Sequence, residues 1–517
     1  MSLGFVHTPI RRAPAATGLE AARDAQEAFG PRRAPAAAFI ALGKAQRRLE
    51  ALLAGDALAV TTGQQPGLFT GPLFAVQKAL TAAALADRLS EAWGRQVTPV
   101  FWVAGDDHDF AEVAACTVMG QDGSPERIVL RQREAGAALL PAFREPLGGD
   151  VVAALERLES VLPASEFRAG VVARLREAYR PERSVAEAFA AAMADLLADA
   201  GVVVLRGWDV GVKRTTGAVL LEALERAAEL DDALAGDGAR LRAAGLETPV
   251  PVGERLALVL VEGASGRDRL RLVEAGGFEG RRGGDRYDLA ALSDLLARDP
   301  ERLSANVLLR PVVEAALLPT VAYVGGPGEL AYLPQAGPLF SALRVPRPVP
   351  VARLSGMLLD ARTEKLLARL GLAPTDVGGP EQELAGRVLR DALPASAVAA
   401  LAEARRAVGE AFAGLGREAA AVDPTLAGTV ESARNQALSA TSGIERRLVS
   451  ALKRSNDTVL QQLARARAAL WPGGAPQERV YALASFSSRF GPAALAVLDA
   501  AAHEHASGLL VGTGREA

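Results

Sequence analysis

A single cysteine, Cys116, stands in a chain of 517 residues. A disulfide framework, a Cys-rich zinc site and an iron–sulfur site are therefore excluded. Four histidines, His7, His108, His503 and His505, leave a multi-histidine metal centre little to work with. Lysine is nearly absent: Lys44, Lys78, Lys213, Lys365 and Lys453 are its only occurrences, and arginine supplies the other 53 of the 58 cations. Against 61 acids the net charge is −3, which gives no support to a basic nucleic-acid-binding surface. Long apolar runs are missing too. The stretch between Glu314 and Glu329 has 14 uncharged residues and is broken by Gly325-Gly326-Pro327-Gly328, too short and too kinked to span a bilayer. The opening MSLGFVHTPIRR lacks the apolar run of a signal peptide. A soluble, cytoplasmic protein without nucleic-acid or membrane partners is expected.

Half of the residues are hydrophobic and 23% are charged, so disorder is excluded and a sizeable core can form. Residues 1–55 read as a helical lead-in. From Leu58, short apolar runs ending in glycine loops alternate with amphipathic helices, the βαβ rhythm of a parallel, doubly wound sheet. Those runs are Leu58–Thr62, Val97–Val103, Val202–Leu205 and Thr320–Val324. Leu256–Val261 and Leu270–Val273 suggest an inserted hairpin, and Gly276–Tyr287 reads as loop. Beyond Pro374–Pro380 strands vanish. Leu401, Val408, Leu415 and Val422 recur every seven residues, Asp423-Pro424 stops that helix, and a second runs to about Trp471 with Ile444, Leu448, Leu452, Val459 and Leu463 on one face. An antiparallel coiled-coil hairpin is predicted, either packed on the main domain or pairing two subunits. The expected domains are 1–375, an α/β core with inserted elements; 376–473, the coiled coil; and 474–517, a segment returning to the core.

Three segments carry candidate chemistry. Thr62-Gly63-Gln64-Gln65-Pro66-Gly67-Leu68-Phe69-Thr70-Gly71 follows the first strand and opens a helix, with Thr70 placed to cap it. Its bare backbone and the helix N-terminus suit a phosphate or carboxylate, although a tight turn is the plainer alternative. Asp106-Asp107-His108-Asp109 ends the second strand, at the sheet edge where open α/β folds bind ligands. Three carboxylates around one histidine should raise its pKa and suit a magnesium ion, an ammonium group or acid–base work; an acidic loop with a helix cap is the alternative. Asn306, Arg310 and the Gly325-Gly326-Pro327-Gly328-Glu329 loop with Tyr332 form the third, where Glu329 either grips an amine or hydroxyl or simply favours a helix N-terminus. Three strand ends of one sheet should converge on one pocket. Cys116 is expected to be a buried, inert thiol.

These blocks, TGQQPGLFTGPL, DDHDF, the N…RP of Asn306–Pro311 and YVGGPGE, occur in the order found in the BshC family, which the sequence resembles along essentially its whole length. The closing Pro472–Val480 and Phe490-Gly491-Pro492 resemble it too. The resemblance implies a Rossmann-like core akin to class I aminoacyl-tRNA synthetases, connecting insertions, and a coiled coil used for homodimerisation. It implies a ligase that adds cysteine to glucosaminyl-malate in bacillithiol biosynthesis, with ATP as the activating nucleotide by kinship to the mycothiol ligase. Carried over, Gly63–Gly71 would line the anionic end of the pocket, while Asp106–Asp109 and Glu329 would hold polar groups. His108 is the first candidate for general base and Asp107 the second. Departures are Asp106 where glutamate is common, Leu333-Pro334-Gln335 in place of a tryptophan-bearing segment, and no lysine loop of KMSKS type, for which an arginine such as Arg353 would substitute. Rival readings are another ATP-dependent acyl or nucleotidyl transferase, and a non-catalytic nucleotide- or metabolite-sensing dimer.

Overall fold

The computed structural model describes residues 2–10, 13–134, 136–273 and 276–511. Its central sheet comprises β1 (Phe39–Ile40), β2 (Leu58–Gln64), β3 (Val97–Val103), β4 (Val203–Arg206), β5 (Thr320–Gly325) and β6 (Val349–Ala352). The strand order is β6-β5-β2-β3-β4-β1, parallel throughout except for the β4–β1 edge pair. Every residue of β3 is buried, as a strand covered on both faces requires. From β2 the chain winds outward through β3 and β4, then returns to build β5 and β6 on the other side. That reversal makes β2 and β5 neighbours and opens a crevice beyond their carboxyl ends.

The helices that matter to this crevice are α1 (Leu73–Trp93), α2 (Val185–Leu196), α3 (Val210–Glu225) and α4 (Arg310–Leu317). Burial along α1 is nearly continuous from Ala75 to Ala86. One side of α1 meets β2 and β3, and the C-terminal helix Ala493–Val511 covers another. Its alanine-rich middle, buried on every side from Ala75 to Ala86, suits a helix clasped between layers.

The lead-in is not purely helical. Leu3–His7 forms a two-stranded sheet with Gly356–Asp360, and β1 joins the main sheet by pairing with β4. Gly276–Tyr287 also departs from the loop reading. Phe278–Gly280 and Arg286–Tyr287 add two strands to the hairpin Leu256–Gly263/Gly266–Leu272, and Leu303–Ala305 completes a five-stranded antiparallel sheet. Glycines with positive φ at Gly276, Gly277 and Gly284 turn these short strands, and that glycine content hid them from a propensity reading.

The chain divides into two compact units at Leu359/Asp360 and Pro476/Gln477. Helix Ala361–Arg369 already belongs to the second unit, where it packs on Asp457–Leu470. Gln477 onward belongs to the first unit; residues 512–517 lie outside the described residues. Within the second unit, α5 (Ala395–Val422) and α6 (Ala427–Ser455) pack on each other across the turn that Pro424 opens, with Arg405 paired to Glu445. The expected single second helix is interrupted at Asn456 before α7 (Asp457–Leu470). Among the described residues no helix is long and apolar enough to cross a membrane.

Candidate active site

A cavity of about 610 Å³ opens at the crevice. The end of β2 contributes Gly63, Gln64 and Gln65; the end of β3 contributes Asp106, Asp107 and His108. Asn306 and Arg310 reach it from the start of α4, and Gly326, Gly328, Glu329 and Tyr332 from the segment after β5. The three strand ends therefore face one space. Gly63 is tightly placed there, since a Cβ would lie 3.2 Å from the Trp102 carbonyl.

Seven expected site residues do not line this cavity. Thr62 is buried in β2, where its hydroxyl donates to the Val324 carbonyl at 2.7 Å, and Gly325 is buried at the end of β5. Asp109 caps the short helix Phe110–Val113, accepting from the Glu112 amide at 3.3 Å. Gly67, Phe69, Thr70 and Gly71 fold back as a buried turn. The Tyr179 hydroxyl donates to the Gly67 carbonyl at 2.7 Å and accepts from the Thr70 amide at 2.9 Å. Phe69 and Thr70 both have positive φ, an uncommon conformation held in place by this clamp. Thr70 consequently does not cap α1; Pro72 occupies the N-cap, and the Leu73 amide donates to the Tyr481 carbonyl at 2.8 Å. Gly67, Thr70 and Gly71 line instead a smaller chamber of about 200 Å³ that shares Gln64, Gln65, Phe74 and Arg479 with the main cavity.

The acidic strand end is neutralised rather than bare. Lys213 of α3 donates to both carboxylate oxygens of Asp106 and to the Leu303 carbonyl. Asp107 accepts from the Gln65 amide and from the His108 and Asp109 backbone amides, at 2.6 and 3.1 Å for the last two. Burial alone would raise the Asp107 pKa, but the Gln65 hydrogen bond, the Arg267 charge and the backbone donors together lower it. His108 moves opposite to expectation. Burial, then the nearby Arg267, lowers its pKa, and the carboxylates of Asp107 and Asp109 only partly oppose this. Its Nδ1 is buried without a hydrogen-bond partner, 3.9 Å from Asp107 Oδ1. The imidazole therefore lines the cavity with its Nδ1 withdrawn from solvent on the Asp107 side.

Behind the opposite wall, Glu329 pairs with Lys78 of α1 and accepts from the Gly326 amide at 2.8 Å and the Tyr323 hydroxyl at 2.5 Å. Lys78 also donates to the Gly63 carbonyl and Gln64 Oε1, both at 2.9 Å. Arg310, far from being a surface side chain, pairs with the buried Glu314 at 2.5 Å and donates to Tyr323 at 3.0 Å. Asn306 accepts from the Leu308 and Leu309 amides and so fixes the entry to α4. Arg353 cannot serve freely as a clamp. It is committed to Glu478 and Gln77 beneath the floor. Gln335 is buried with both its amide atoms on Val250, while Phe74, Trp102, Tyr323 and Tyr332 supply the aromatic surface of the cavity.

Two of the five lysines thus reach the site from helices, not from a lysine loop. Lys78 is the one cation in the continuously buried run Ala75–Ala86, a mismatch with the apolar pattern that marks it in the sequence; Lys213, beside the exposed Arg214, carries no such signal. Among the described residues no three His, Cys, Asp or Glu side chains gather to hold a metal ion. Asp106 and Asp107 are engaged by Lys213 and Gln65, so this donor set does not fit a protein-held magnesium ion. Cys116 is buried, and burial pushes its pKa up to about 12.

Residues 36–354 match the N-terminal Rossmann-like domain of bacillithiol biosynthesis BshC, and residues 356–507 match its C-terminal coiled-coil domain. The chain belongs to the BshC family. Relatives bearing the name "Putative cysteine ligase BshC" include one from Salinibacter ruber, 32% identical over 87% of this chain and 82% of its own length. Those from Solibacter usitatus and Koribacter versatilis are 31% and 33% identical, over 94% and 84% of this chain and 90% and 80% of theirs. The cavity draws nearly all its lining from the Rossmann-like match; Arg479 comes from the second matched region, yet folds with the first structural unit.

Proposed function

We propose that this chain is a cytoplasmic ligase that joins the carboxyl group of cysteine to the amino group of glucosaminyl-malate, completing bacillithiol. Charge in the cavity carries the reading: of its seven lining cations Lys78, Lys213, Arg310 and Arg353 are paired with acids, and Arg267, Arg269 and Arg479 have no ion pair to another described residue. Such a wall suits the two malate carboxylates and an activating phosphate. Amide formation from a free carboxylate is uphill in water, and ATP supplies the activation by converting the cysteine carboxyl to an adenylate with loss of pyrophosphate. Any magnesium ion enters with the phosphates rather than in a protein cage.

His108 then has the properties required of the base. Its lowered pKa keeps it uncharged near neutral pH, and its cavity-lining imidazole can take the proton that the glucosamine nitrogen sheds as the amide forms. Asp107, held as a carboxylate by Gln65, orients the imidazole edge and stabilises it once protonated. Lys78 fixes the backbone of Gly63 and the Gln64 side chain at the floor of the site. A homodimer through α5 and α6 is part of the proposal, since Leu415 and Ile444 of these helices are more than half exposed.

The test is direct. Purified protein given cysteine, glucosaminyl-malate and ATP should form bacillithiol, AMP and pyrophosphate, followed by mass spectrometry. Nucleotide binding without product would favour the sensing dimer instead.

A further inference from the structure

The side chamber of about 200 Å³ has a composition unlike the main cavity's. Its wall is formed by Phe189, Ala115, Cys116 and Thr117 together with the clamped turn at Thr70. Phe189 and Cys116 are buried, and Ala115–Met119 is a β-strand paired to Pro125–Val129, so the wall is rigid. Only two charged residues line it, Glu112 and Arg479, and neither has a side-chain ion pair to another described residue. Arg479 and the two glutamines of the β2 loop line both spaces, so the chamber meets the main cavity along that rim.

We infer that this chamber is the cysteine subsite, taking the thiol side chain into its apolar end with the ammonium group at Glu112 and the carboxylate turned toward the main cavity at Arg479. This rests on the ligase reading and assigns one of its two substrates a place.

Size agrees. At about 200 Å³ the chamber has about a third of the main cavity's volume, which suits the smaller of the two substrates. Charge agrees as well. Glu112 sits near the carboxylates of Asp109 and Asp107, and desolvation with those neighbours raises its pKa against the opposing charge of Arg479, so an ammonium ligand beside it would be favoured. The surface of Phe189, Ala115 and Cys116 favours a thiol over a hydroxyl, because a thiol loses less on leaving water. Cys116 faces the incoming thiol but stays protonated, so exchange with a substrate or product disulfide is slow.

The experiment fills the chamber from two sides, with Ala115→Leu and Thr117→Leu, and measures both steady-state kinetics and equilibrium dialysis with labelled L-cysteine. Expected are a rise of at least about tenfold in the cysteine KM and Kd, an unchanged KM for glucosaminyl-malate, and wild-type preference for cysteine over serine of about 10- to 100-fold. Near-UV circular dichroism identifies a variant that has failed to fold, and the other then decides. Product formation with cysteine KM unchanged in a folded variant overturns the subsite and leaves the ligase standing. If the wild type makes no product yet binds cysteine, weaker binding in the variants upholds the subsite while the ligase reading fails. No cysteine binding at all overturns both.

Discussion

Lys213 Nζ lies 2.8 and 2.7 Å from the two carboxylate oxygens of Asp106, with both side chains largely withdrawn from solvent. The pair joins α3 to the end of β3, the point at which the acidic loop leaves the sheet. Replacing Lys213 by Met would leave Asp106 as an uncompensated, mostly buried charge, at a cost of about 3–5 kcal/mol. Urea denaturation should show that loss, and Asp106→Asn added to it should recover part of the stability. Equal stability of Lys213→Met and wild type would mean the pair holds nothing in place.

His108 sets the acid side of the pH profile. Because burial and Arg267 lower its pKa, the neutral form prevails above its ordinary value of about 6.5 and is lost only as the pH falls below it. A base of this kind gives a plateau in kcat/KM at neutral pH and an acid limb beneath it. His108→Gln should remove that limb and lower kcat by about 10²- to 10⁴-fold. A profile whose acid limb survives in the variant would transfer the role to another group, with Asp107 the nearest.

The direction of the His108 shift also shows where sequence stops being informative. DDHDF displays three neighbouring carboxylates, and from them a raised pKa follows; the residue that reverses this, Arg267, arrives from the antiparallel sheet some 160 residues further on. Local text gave the parallel strands and their glycine ends, since continuous apolar runs and βα turns are encoded in adjacent residues. Convergence of Gly63, Asp106 and Glu329 on one cavity followed from those strand ends by topology. What stayed hidden depends on tertiary contact: the Tyr179 hydroxyl that folds Gly67–Gly71 away from the main cavity, and the two lysines that enter from helix interiors.

Tyr179→Phe tests that clamp. The variant keeps the ring against Phe69, centroids 5.2 Å apart, but leaves the buried Gly67 carbonyl and Thr70 amide without the hydroxyl. Each unsatisfied group costs about 1–3 kcal/mol, and the left-handed turn at Phe69 and Thr70 loses its restraint. Lower urea midpoints and a raised cysteine KM are expected together, because the same turn lines the side chamber. A stability loss with no kinetic change would separate the turn from the site.

Glu329 connects stability to pH. Burial would raise its pKa, but Lys78, the Gly326 amide and Tyr323 together lower it. A carboxylate depressed on folding contributes stability that is complete above its ordinary value of about 4.3 and is lost as the pH falls further. Glu329→Gln should therefore flatten part of the acid limb of the stability curve below that point. At neutral pH it should cost about 3–5 kcal/mol, since Lys78 would keep its charge without its partner. Thermal melts from pH 3 to 7 measure both effects, and parallel curves for variant and wild type would place the depressed carboxylate elsewhere.

The helical hairpin makes the last prediction. Along α5 and α6 the apolar side chains Val398, Leu415, Val422 and Ile444 are 49%, 53%, 84% and 54% exposed, though the seven-residue spacing marks Leu415 and Val422 as seam positions. A seam left open within one unit gains by burying itself against another helix pair, and a second copy of the same chain offers a matching surface by symmetry. Leu415→Glu with Ile444→Glu would place charges in that seam while leaving the Arg405–Glu445 pair untouched. Light scattering should then report monomers where the wild type gives dimers, with helicity by circular dichroism unchanged. A dimer that persists in the double variant would remove these two positions from the subunit contact, and a wild type that is itself monomeric would remove the contact altogether.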